Sequence, residues 1–357
     1  MAIRYAFSIF TGTMELRQPK QMKAISCEQP GSFVNRIINV PPLRTGEVQL
    51  KIKQIGICGT DLHAYAGNQA FFSYPRILGH EIAAAVSQAN GSAISEGEKV
   101  VVIPYIHCGT CIACQSGKTN CCETLQVLGV HTDGAMQEFL AVPEGLLIPT
   151  PQLTWTEMAM VEPLSVAAHA VKRADVKQGD QVLVMGCGPI GLATMVFSKI
   201  AGATVTAMDL NLERLNVANS SFSADHILSP VQEGDTRSQN PVHKSKYQVV
   251  FDATGNKQAM ESGPFYTCHG GKYVLVGLYK DNLCFHHPSI HAKELSLLCS
   301  RNATKEDFLR VIQTLENKQF PTEAYHTHTL NFEEIPNKFN ELMMPSNQVI
   351  KAMVQLS

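Results

Sequence analysis

The sequence predicts an α/β protein that combines a barrel-like β unit with a doubly wound parallel sheet. Residues 23–139 contain short alternating runs of apolar and polar residues, broken by Pro and Gly, a pattern typical of antiparallel strands. From Asp180 onward, short apolar runs alternate with helical stretches, the order that builds a parallel sheet. A chain of 357 residues is long enough for two such units, each with its own core.

Composition and charge exclude several classes of function. The formal net charge of −2 gives no electrostatic reason to expect binding to nucleic acid or to an anionic membrane. No apolar run approaches the length of a bilayer-spanning helix. The first 21 residues contain an apolar patch that is too short and interrupted for a signal peptide, so we interpret residues 1–21 as an N-terminal extension without a catalytic role.

Eleven cysteines, four of them in one tight cluster, favour metal binding in a reducing compartment over a disulfide framework. We therefore predict a cytoplasmic protein. The sparse charged residues, 17% of the chain, suit a compact homo-oligomer.

The region around Cys58 is the first candidate site. Residues 48–53 alternate apolar and polar side chains, the period of a half-buried strand that would deliver Cys58 to its end. The pair His80-Glu81 follows, and Glu162 comes much later. One Cys, one His and one or two carboxylates, with room for water or substrate, describe a catalytic zinc site.

The cysteine cluster is the second candidate site. Cys108, Cys111 and Cys114 are followed by the adjacent pair Cys121 and Cys122, and the spacing alone permits either as a fourth ligand. Four thiolates at this density fit a closed, tetrahedral and therefore structural zinc site. An iron–sulfur cluster is the alternative, but the last spacing is too long and no Pro follows the final Cys.

Residues 156–171 are predicted to be helical, with a break or restart at Pro163. Glu162 precedes this proline directly. At a break, its carboxylate could face a cleft instead of a regular helix surface.

A dinucleotide fingerprint begins the second unit. The apolar strand 182–185 runs into Gly186-Cys187-Gly188-Pro189-Ile190-Gly191, a helix ends near Gly202, and strand 204–208 ends at Asp209. Glycines after a strand and before a helix let the backbone approach a pyrophosphate on the helix N-terminus. Asp209 would accept hydrogen bonds from the ribose hydroxyls and repel a 2′-phosphate, which favours NAD over NADP.

The alternation continues through predicted strands 248–252, 271–277 and 295–299, which gives a six-stranded sheet, and then a helix over 305–316. Polar residues 232–246 are interpreted as a surface loop. The residues predicted to contact NAD are Gly186, Gly188, Pro189, Ile190, Gly191 and Asp209, with Val276, Gly277 and Leu278 at the end of strand 271–277.

Four motifs occur in a fixed order: Cys58-Gly59-Thr60-Asp61, Gly79-His80-Glu81, the cysteine cluster and the glycine fingerprint. Together they resemble the zinc-dependent medium-chain dehydrogenase/reductase family in its polyol dehydrogenase branch. The resemblance implies a GroES-like catalytic domain from residues 22–170 and 300–357, with a Rossmann NAD-binding domain, residues 171–299, inserted into it.

The resemblance also implies roles for single residues. Cys58, His80 and Glu162 would hold a catalytic zinc, Glu162 directly or through water, and Glu81 would be a neighbour able to replace a departing water. Cys122 would be the fourth ligand of the structural zinc. Asp61 would orient His80, while Thr60 and His63 would carry the released proton outward. Arg214 would stack on the adenine, and Arg301 would lie near the nicotinamide and the substrate.

Within this branch the chain is most similar to sugar-acid dehydrogenases of the L-galactonate type, over residues 67–75, 102–105 and 299–304. It departs from the sorbitol dehydrogenase pattern at Ala64 and Asn302, where aromatic residues would line the pocket. We expect a polyol or sugar-acid substrate and a homo-dimer or homo-tetramer. The alternatives are a threonine dehydrogenase-type activity or another alcohol dehydrogenase, and a catalytically silent nucleotide-binding sensor. The complete set of zinc-site residues argues against the silent sensor.

Overall fold

The computed structural model describes residues 20–69, 72–230 and 243–356. Nearly all of the predicted N-terminal extension lies outside these ranges. Phe71 and most of the predicted loop 232–246 also lie outside them.

Antiparallel strands dominate the first part of the chain. One sheet has the order β2-β1-β4, a larger sheet has the order β10-β6-β5-β3-β18-β17 with β9 beside β3, and β7 pairs with β8. The strands are β1 (Gln21–Gln29), β2 (Ser32–Asn39), β3 (Glu47–Ile57), β4 (Arg76–Ile77), β5 (Glu81–Gln88), β6 (Lys99–Val102), β7 (Tyr105–Ile106), β8 (Gln126–Val127), β9 (Phe139–Pro143), β10 (Leu147–Pro149), β17 (His326–Asn331) and β18 (Lys351–Gln355).

A parallel sheet of six strands forms the second unit. Its order is β13-β12-β11-β14-β15-β16, which is the order 3-2-1-4-5-6 of a doubly wound dinucleotide-binding sheet. The strands are β11 (Gln181–Met185), β12 (Thr204–Met208), β13 (His226–Leu228), β14 (Tyr247–Asp252), β15 (Thr267–Leu275) and β16 (Ser296–Cys299). The predicted fold class is therefore confirmed.

Helices connect and cover these sheets. None of them, in the ranges that the structure describes, is long and apolar enough to cross a membrane. They are α1 (Gly59–Ala66), α2 (Ile112–Gln115), α3 (Trp155–Ala174), α4 (Pro189–Ile200), α5 (Leu212–Ser221), α6 (Lys257–Tyr266), α7 (His287–Ala292), α8 (Lys305–Glu316), α9 (Thr322–Tyr325) and α10 (Ile335–Lys338).

The predicted break at Pro163 is wrong, because α3 runs without interruption from Trp155 to Ala174. A proline inside a helix removes one hydrogen bond and costs about 3 kcal/mol. This helix is buried along most of its length and packs against β5, α4 and α8. Tertiary packing therefore holds the helical backbone across the proline.

The two units share one core. The largest buried cluster includes Val101 of the barrel sheet, Leu164 of α3, Val184 of the parallel sheet, Phe308 of α8 and Met353 of β18. Helix α3 lies between the two sheets and contacts both. The position of the metal candidates relative to the glycine loop is therefore set by α3.

The C-terminal strand returns to the barrel sheet. Strand β18 pairs antiparallel with β3, so that Ala352 lies opposite Ile57. The end of the chain thus lies beside the residue that precedes Cys58. The predicted domain boundaries, residues 22–170 with 300–357 and residues 171–299, stay predictions.

Candidate active site

Strand β3 ends at Ile57, and Cys58 follows as the N-cap of α1. The Asp61 carboxylate accepts a hydrogen bond from the Cys58 backbone N–H at 2.9 Å and from the Gly79 N–H at 3.4 Å. Asp61 therefore ties together the two backbone segments that carry Cys58 and His80. Its Oδ1 lies 3.7 Å from His80 Nδ1, which is longer than a hydrogen bond, so its positioning effect acts mainly through the backbone.

Cys58, His80 and Glu81 converge on one point. Each offers one ligand atom, and these atoms all lie within 4.8 Å of one another. His80 and Glu81 are buried, while Cys58 is half-buried, so the group is open on one side. Thiolate, imidazole and carboxylate at this separation are a donor set that suits zinc.

The electrostatics of this group also favour a cation. Burial opposes charging of His80, but Asp61, Cys58 and Glu162 outweigh it and raise the pKa of His80 well above its usual range. Burial, together with Glu162, raises the pKa of Glu81 to about 7, although Lys351 and His80 act in the opposite direction. The neighbours that raise the pKa of His80 are therefore acidic groups, which would also favour a bound cation.

Glu81 has a strong partner that the sequence did not reveal. Lys351 donates to both carboxylate oxygens, at 2.6 and 2.8 Å, and to the Ile57 carbonyl at 3.0 Å. Gly56 makes room for Glu81, because a Cβ there would lie 1.8 Å from Glu81 Oε2. Glu81 is therefore held by Lys351 and lies beside Cys58 and His80. This arrangement fits a carboxylate next to the metal position better than a permanent metal ligand. The only sequence signal was a lysine inside the apolar run 349–354.

Glu162 lies on α3 and is buried. Its carboxylate accepts a hydrogen bond from the Tyr105 hydroxyl. Burial, followed by Glu162, raises the pKa of Tyr105 well above its usual range, so the phenol remains a donor. Glu162 is not in the group of three that lie within 4.8 Å, but it is close enough to affect the pKa of both His80 and Glu81.

The two predicted proton carriers lie on α1. Thr60 is half-buried at the start of the helix, and His63 is exposed one turn later. His63 Nδ1 lies 2.9 Å from Asn68 Oδ1, which fixes the ring on the surface. Thr60 and His63 therefore lie on the same short helix, with the imidazole on its exposed side.

The cysteine lobe comprises α2 and the adjacent loop. The four sulfur atoms of Cys108, Cys111, Cys114 and Cys122 lie within 4.8 Å of one another. Hydrogen bonds from Thr110, its backbone N–H first, lower the pKa of Cys108 to about 5, which favours the thiolate. Cys121 is exposed and is not in this group. Four sulfurs in one cluster fit a structural zinc site.

The glycine loop between β11 and α4 has the geometry of a phosphate cradle. Gly186 has φ +96°, which favours glycine, and Gly188 is the N-cap of α4, with Pro189 and Ile190 in the first turn. A Cβ at Gly191 would lie 1.8 Å from the Gly186 carbonyl oxygen, whereas a Cβ at Gly188 would meet nothing within 4 Å. Gly191 thus permits close packing, and Gly188 leaves open space at the helix N-terminus, where a pyrophosphate fits.

Asp209 follows β12 and is half-buried. Its Oδ2 accepts from the Cys187 N–H at 2.7 Å, and its Oδ1 accepts from the Asn211 N–H at 2.9 Å. The carboxylate therefore stands at the glycine loop. Arg214, in α5, is exposed five residues later.

Three further predicted cofactor contacts lie at the end of β15. The Val276 and Gly277 N–H groups both donate to the Asp252 carbonyl at 2.9 Å, and Leu278 is 63% exposed. A Cβ at Gly277 would lie 2.4 Å from the Gly255 nitrogen, so this close crossing of two loops requires glycine.

Arg301 is exposed and follows β16 at the carboxyl end of the parallel sheet. Burial, followed by the charge of Arg301, lowers the pKa of His131, which places the guanidinium near the barrel unit. Ala64, by contrast, is completely buried in the barrel core. A residue at position 64 therefore does not line an open pocket, whereas Asn302 is half-buried. The predicted departure from the sorbitol dehydrogenase pocket is better supported at Asn302 than at Ala64.

Comparisons with known proteins show the family of this chain. The family model described as "Alcohol dehydrogenase GroES-like domain" matches residues 44–152, and "Zinc-binding dehydrogenase" matches residues 189–317. L-galactonate-5-dehydrogenase from Escherichia coli is 38% identical over 335 residues, which cover 93% of this chain and 98% of the relative. 2-dehydro-3-deoxy-L-galactonate 5-dehydrogenase from Pseudoalteromonas atlantica is 31% identical, covering 87% of this chain and 92% of the relative.

The solved structure of an alcohol dehydrogenase, RspB from Escherichia coli, in complex with NADH superimposes with a TM-score of 0.86 at 30% identity. The superimposed residues cover 94% of this chain and 99% of the RspB chain. The chain therefore belongs to the zinc-type alcohol dehydrogenase family and is an oxidoreductase. The predicted family is confirmed.

Gly188 and Gly191 allow a test that separates folding from cofactor binding. Gly191→Ala should lower the free energy of unfolding by about 1–3 kcal/mol, because its Cβ collides with the Gly186 carbonyl. Gly188→Ala should cost less stability but weaken NADH binding at least about tenfold, because its Cβ fills the open space at the helix N-terminus. Thermal unfolding and NADH fluorescence titration measure the two effects. Unchanged NADH affinity in Gly188→Ala would contradict the cradle.

The two candidate metal sites should respond differently to loss of a thiol. Cys111→Ser should lose about one zinc per chain and unfold at a lower temperature, because metal binding at a closed site contributes to folding. Cys58→Ser should lose activity and remain folded. Cys121→Ser is the matched control and should retain metal and stability. Metal analysis and thermal unfolding of the purified variants measure these outcomes, and equal unfolding of Cys111→Ser and Cys58→Ser would reject the division of roles.

Proposed function

We propose that this protein oxidises a secondary alcohol of a sugar acid or polyol to a ketone, with zinc as Lewis acid and NAD as hydride acceptor. The observation that carries the proposal is the convergence of Cys58, His80 and Glu81 within 4.8 Å, in a chain that also forms the glycine cradle. A protein that only sensed a nucleotide would have no use for this group.

Cys58 and His80 would hold the catalytic zinc, with Glu162 as a third ligand, direct or through water. Zinc at this point supplies Lewis-acid polarisation that lowers the pKa of a bound hydroxyl. The half-buried position of Cys58 leaves one side of the group open for the substrate. Tyr105, through its hydrogen bond, holds the Glu162 carboxylate in one orientation.

The proton of the substrate hydroxyl leaves along α1 in this proposal. Thr60, half-buried at the start of the helix, would accept it from the hydroxyl and pass it outward. His63 is exposed and anchored by Asn68, so its ring can exchange the proton with solvent. Lys351 holds the Glu81 carboxylate beside Cys58 and His80, where its charge can act on the site.

The backbone N–H groups at the start of α4 would bind the pyrophosphate of NAD, and Asp209 would bind the ribose hydroxyls. Arg214 remains a candidate for the adenine. The relative crystallised with NADH supports the choice of a nicotinamide cofactor. The cytoplasmic location and the homo-dimer or homo-tetramer stay predictions.

We expect Asp209 to determine the preference for NAD. Asp209→Ser should lower the ratio of kcat/KM for NAD to that for NADP by about tenfold or more, because it removes a charged acceptor worth about 1.5–3 kcal/mol and ends the repulsion of a 2′-phosphate. Asp209 also supports the glycine loop through Cys187, but loss of that support affects both cofactors equally and cancels in the ratio. An unchanged ratio would show that the carboxylate does not bind the ribose.

Arg301 is the candidate for recognition of the acid. A guanidinium can hold a carboxylate through two parallel hydrogen bonds, and Arg301 is exposed near the barrel unit. Relatives named for L-galactonate and 2-dehydro-3-deoxy-L-galactonate support a sugar acid over a neutral polyol.

Arg301→Ala should reduce kcat/KM for L-galactonate by about 1.5–3 kcal/mol, on the order of ten- to a hundredfold, because a charge-assisted pair is lost. The matching alditol, which lacks the carboxylate, should lose much less. Arg301→Lys is the graded control: it keeps the charge without the bidentate geometry and should fall between. A wild-type preference for the alditol, or equal losses on both substrates, would reject the sugar-acid assignment.

A further inference from the structure

A series of hydrogen-bonded side chains runs from Arg301 through the cysteine lobe to α3 and α8. Asn120 lies between Cys114 and Cys122 in the lobe and is only 3% exposed. Its side-chain Nδ2 donates to the Arg301 carbonyl at 3.0 Å and lies 3.2 Å from Nε2 of His169 on α3. His169 Nδ1 in turn lies 2.8 Å from Oδ2 of Asp307 on α8.

The hydrogen-bond directions along this chain are mutually consistent. The Arg301 carbonyl can only accept, so the amide of Asn120 must present its NH₂ group to it. The same NH₂ faces His169 Nε2, which must therefore be the unprotonated acceptor, leaving the proton on Nδ1 for Asp307. Asp307 is itself fixed, since its Oδ2 also accepts from the Thr304 N–H at 2.9 Å and the Thr304 hydroxyl at 2.7 Å. Each member orients the next.

Residues 299–302, the segment that carries Arg301, are held by several further contacts. Asn302 has φ +52°, in the left-handed region that glycine and asparagine adopt more readily than other residues. The carbonyl of Cys299 accepts from Arg173 Nε at 2.5 Å, and the Ser300 N–H donates to Leu275 at 2.9 Å. Helix α3 and the lobe thus hold residues 299–302 from two sides, while the Arg301 side chain stays exposed.

We propose that Asn120, oriented by His169 and Asp307, is a positioning residue that holds the Arg301 backbone so that its guanidinium meets the carboxylate of the substrate. This inference rests on the proposed function for the role of Arg301 and extends it to a residue of the cysteine lobe. The lobe then contributes to the substrate site as well as to local stability. The substrate class it serves is a sugar acid, recognised through its carboxylate.

A double-mutant cycle tests whether Asn120 acts through Arg301. Asn120→Ala should lower kcat/KM for L-galactonate by about five- to twentyfold in the wild-type background, mainly by raising KM. In the Arg301→Ala background it should change kcat/KM less than about twofold, since the group it positions is gone. Lys118→Ala, an exposed change in the same lobe, is the control and should behave like wild type. Equal fold losses in both backgrounds would overturn the proposal.

A conservative pair of variants at His169 distinguishes positioning from packing. His169→Gln keeps an acceptor opposite the Asn120 amide and should retain most of the wild-type kcat/KM. His169→Leu fills the site without an acceptor and should reproduce the Asn120→Ala defect. If both variants lose activity equally, the hydrogen bond does not matter and the proposal fails. These variants also serve if Asn120→Ala does not fold.

Amide hydrogen exchange separates this inference from the proposed function, because it needs no substrate. Exchange of peptides covering residues 300–304 should rise in Asn120→Ala and His169→Leu and stay at the wild-type level in Lys118→Ala and His169→Gln. Unchanged exchange in the first pair would overturn the positioning role. The double-mutant cycle can also be measured with the alditol as substrate. If exchange rises as expected and this cycle is non-additive, the positioning role stands. If the enzyme then does not prefer L-galactonate over the alditol, the proposed substrate class is wrong.

Discussion

The buried ion pair between Lys351 and Glu81 is the interaction on which the candidate metal site depends. Lys351 is 2% exposed and Glu81 is fully buried, so each charge would be costly without the other. The pair joins the C-terminal strand to β5 across β3, and the ammonium group also binds the carbonyl of Ile57, the residue before Cys58. The C-terminus therefore completes the structure that presents Cys58 and His80. Breaking one partner leaves a buried charge, typically at a cost of about 3–5 kcal/mol.

Helix α3 provides the second constraint, because it connects the metal group to the Arg301 segment. Glu162 lies near its middle, and His169 follows two turns later, about 10 Å along the axis. Arg173, one turn further, holds the same segment through the Cys299 carbonyl. A break at Pro163 would separate these contacts. The continuous helix keeps the carboxylate of the metal site and the supports of Arg301 in one rigid element.

Much of this architecture could be predicted from the sequence, because local patterns determine it. The alternation in residues 48–53 placed Cys58 at a strand end, and the glycine fingerprint located the turn between β11 and α4. The continuity of α3 could not be predicted, since the cost of Pro163 is local and the packing that offsets it is not. Lys351 and Asn120 were missed for the same reason: their partners are 270 and 181 residues away.

In the proposed function, chemistry and recognition belong to different units. Cys58, His80 and Glu81 lie where barrel strands begin or end, a location compatible with any alcohol that reaches the metal. Arg301 lies at the carboxyl end of the parallel sheet, where ligands of doubly wound folds bind. Specificity can then change by altering the 299–302 segment without disturbing the candidate metal ligands. Arg173 of α3 and Asn120 both donate hydrogen bonds to backbone carbonyls of that segment. A segment altered for another substrate class would therefore have to keep these two carbonyls in place.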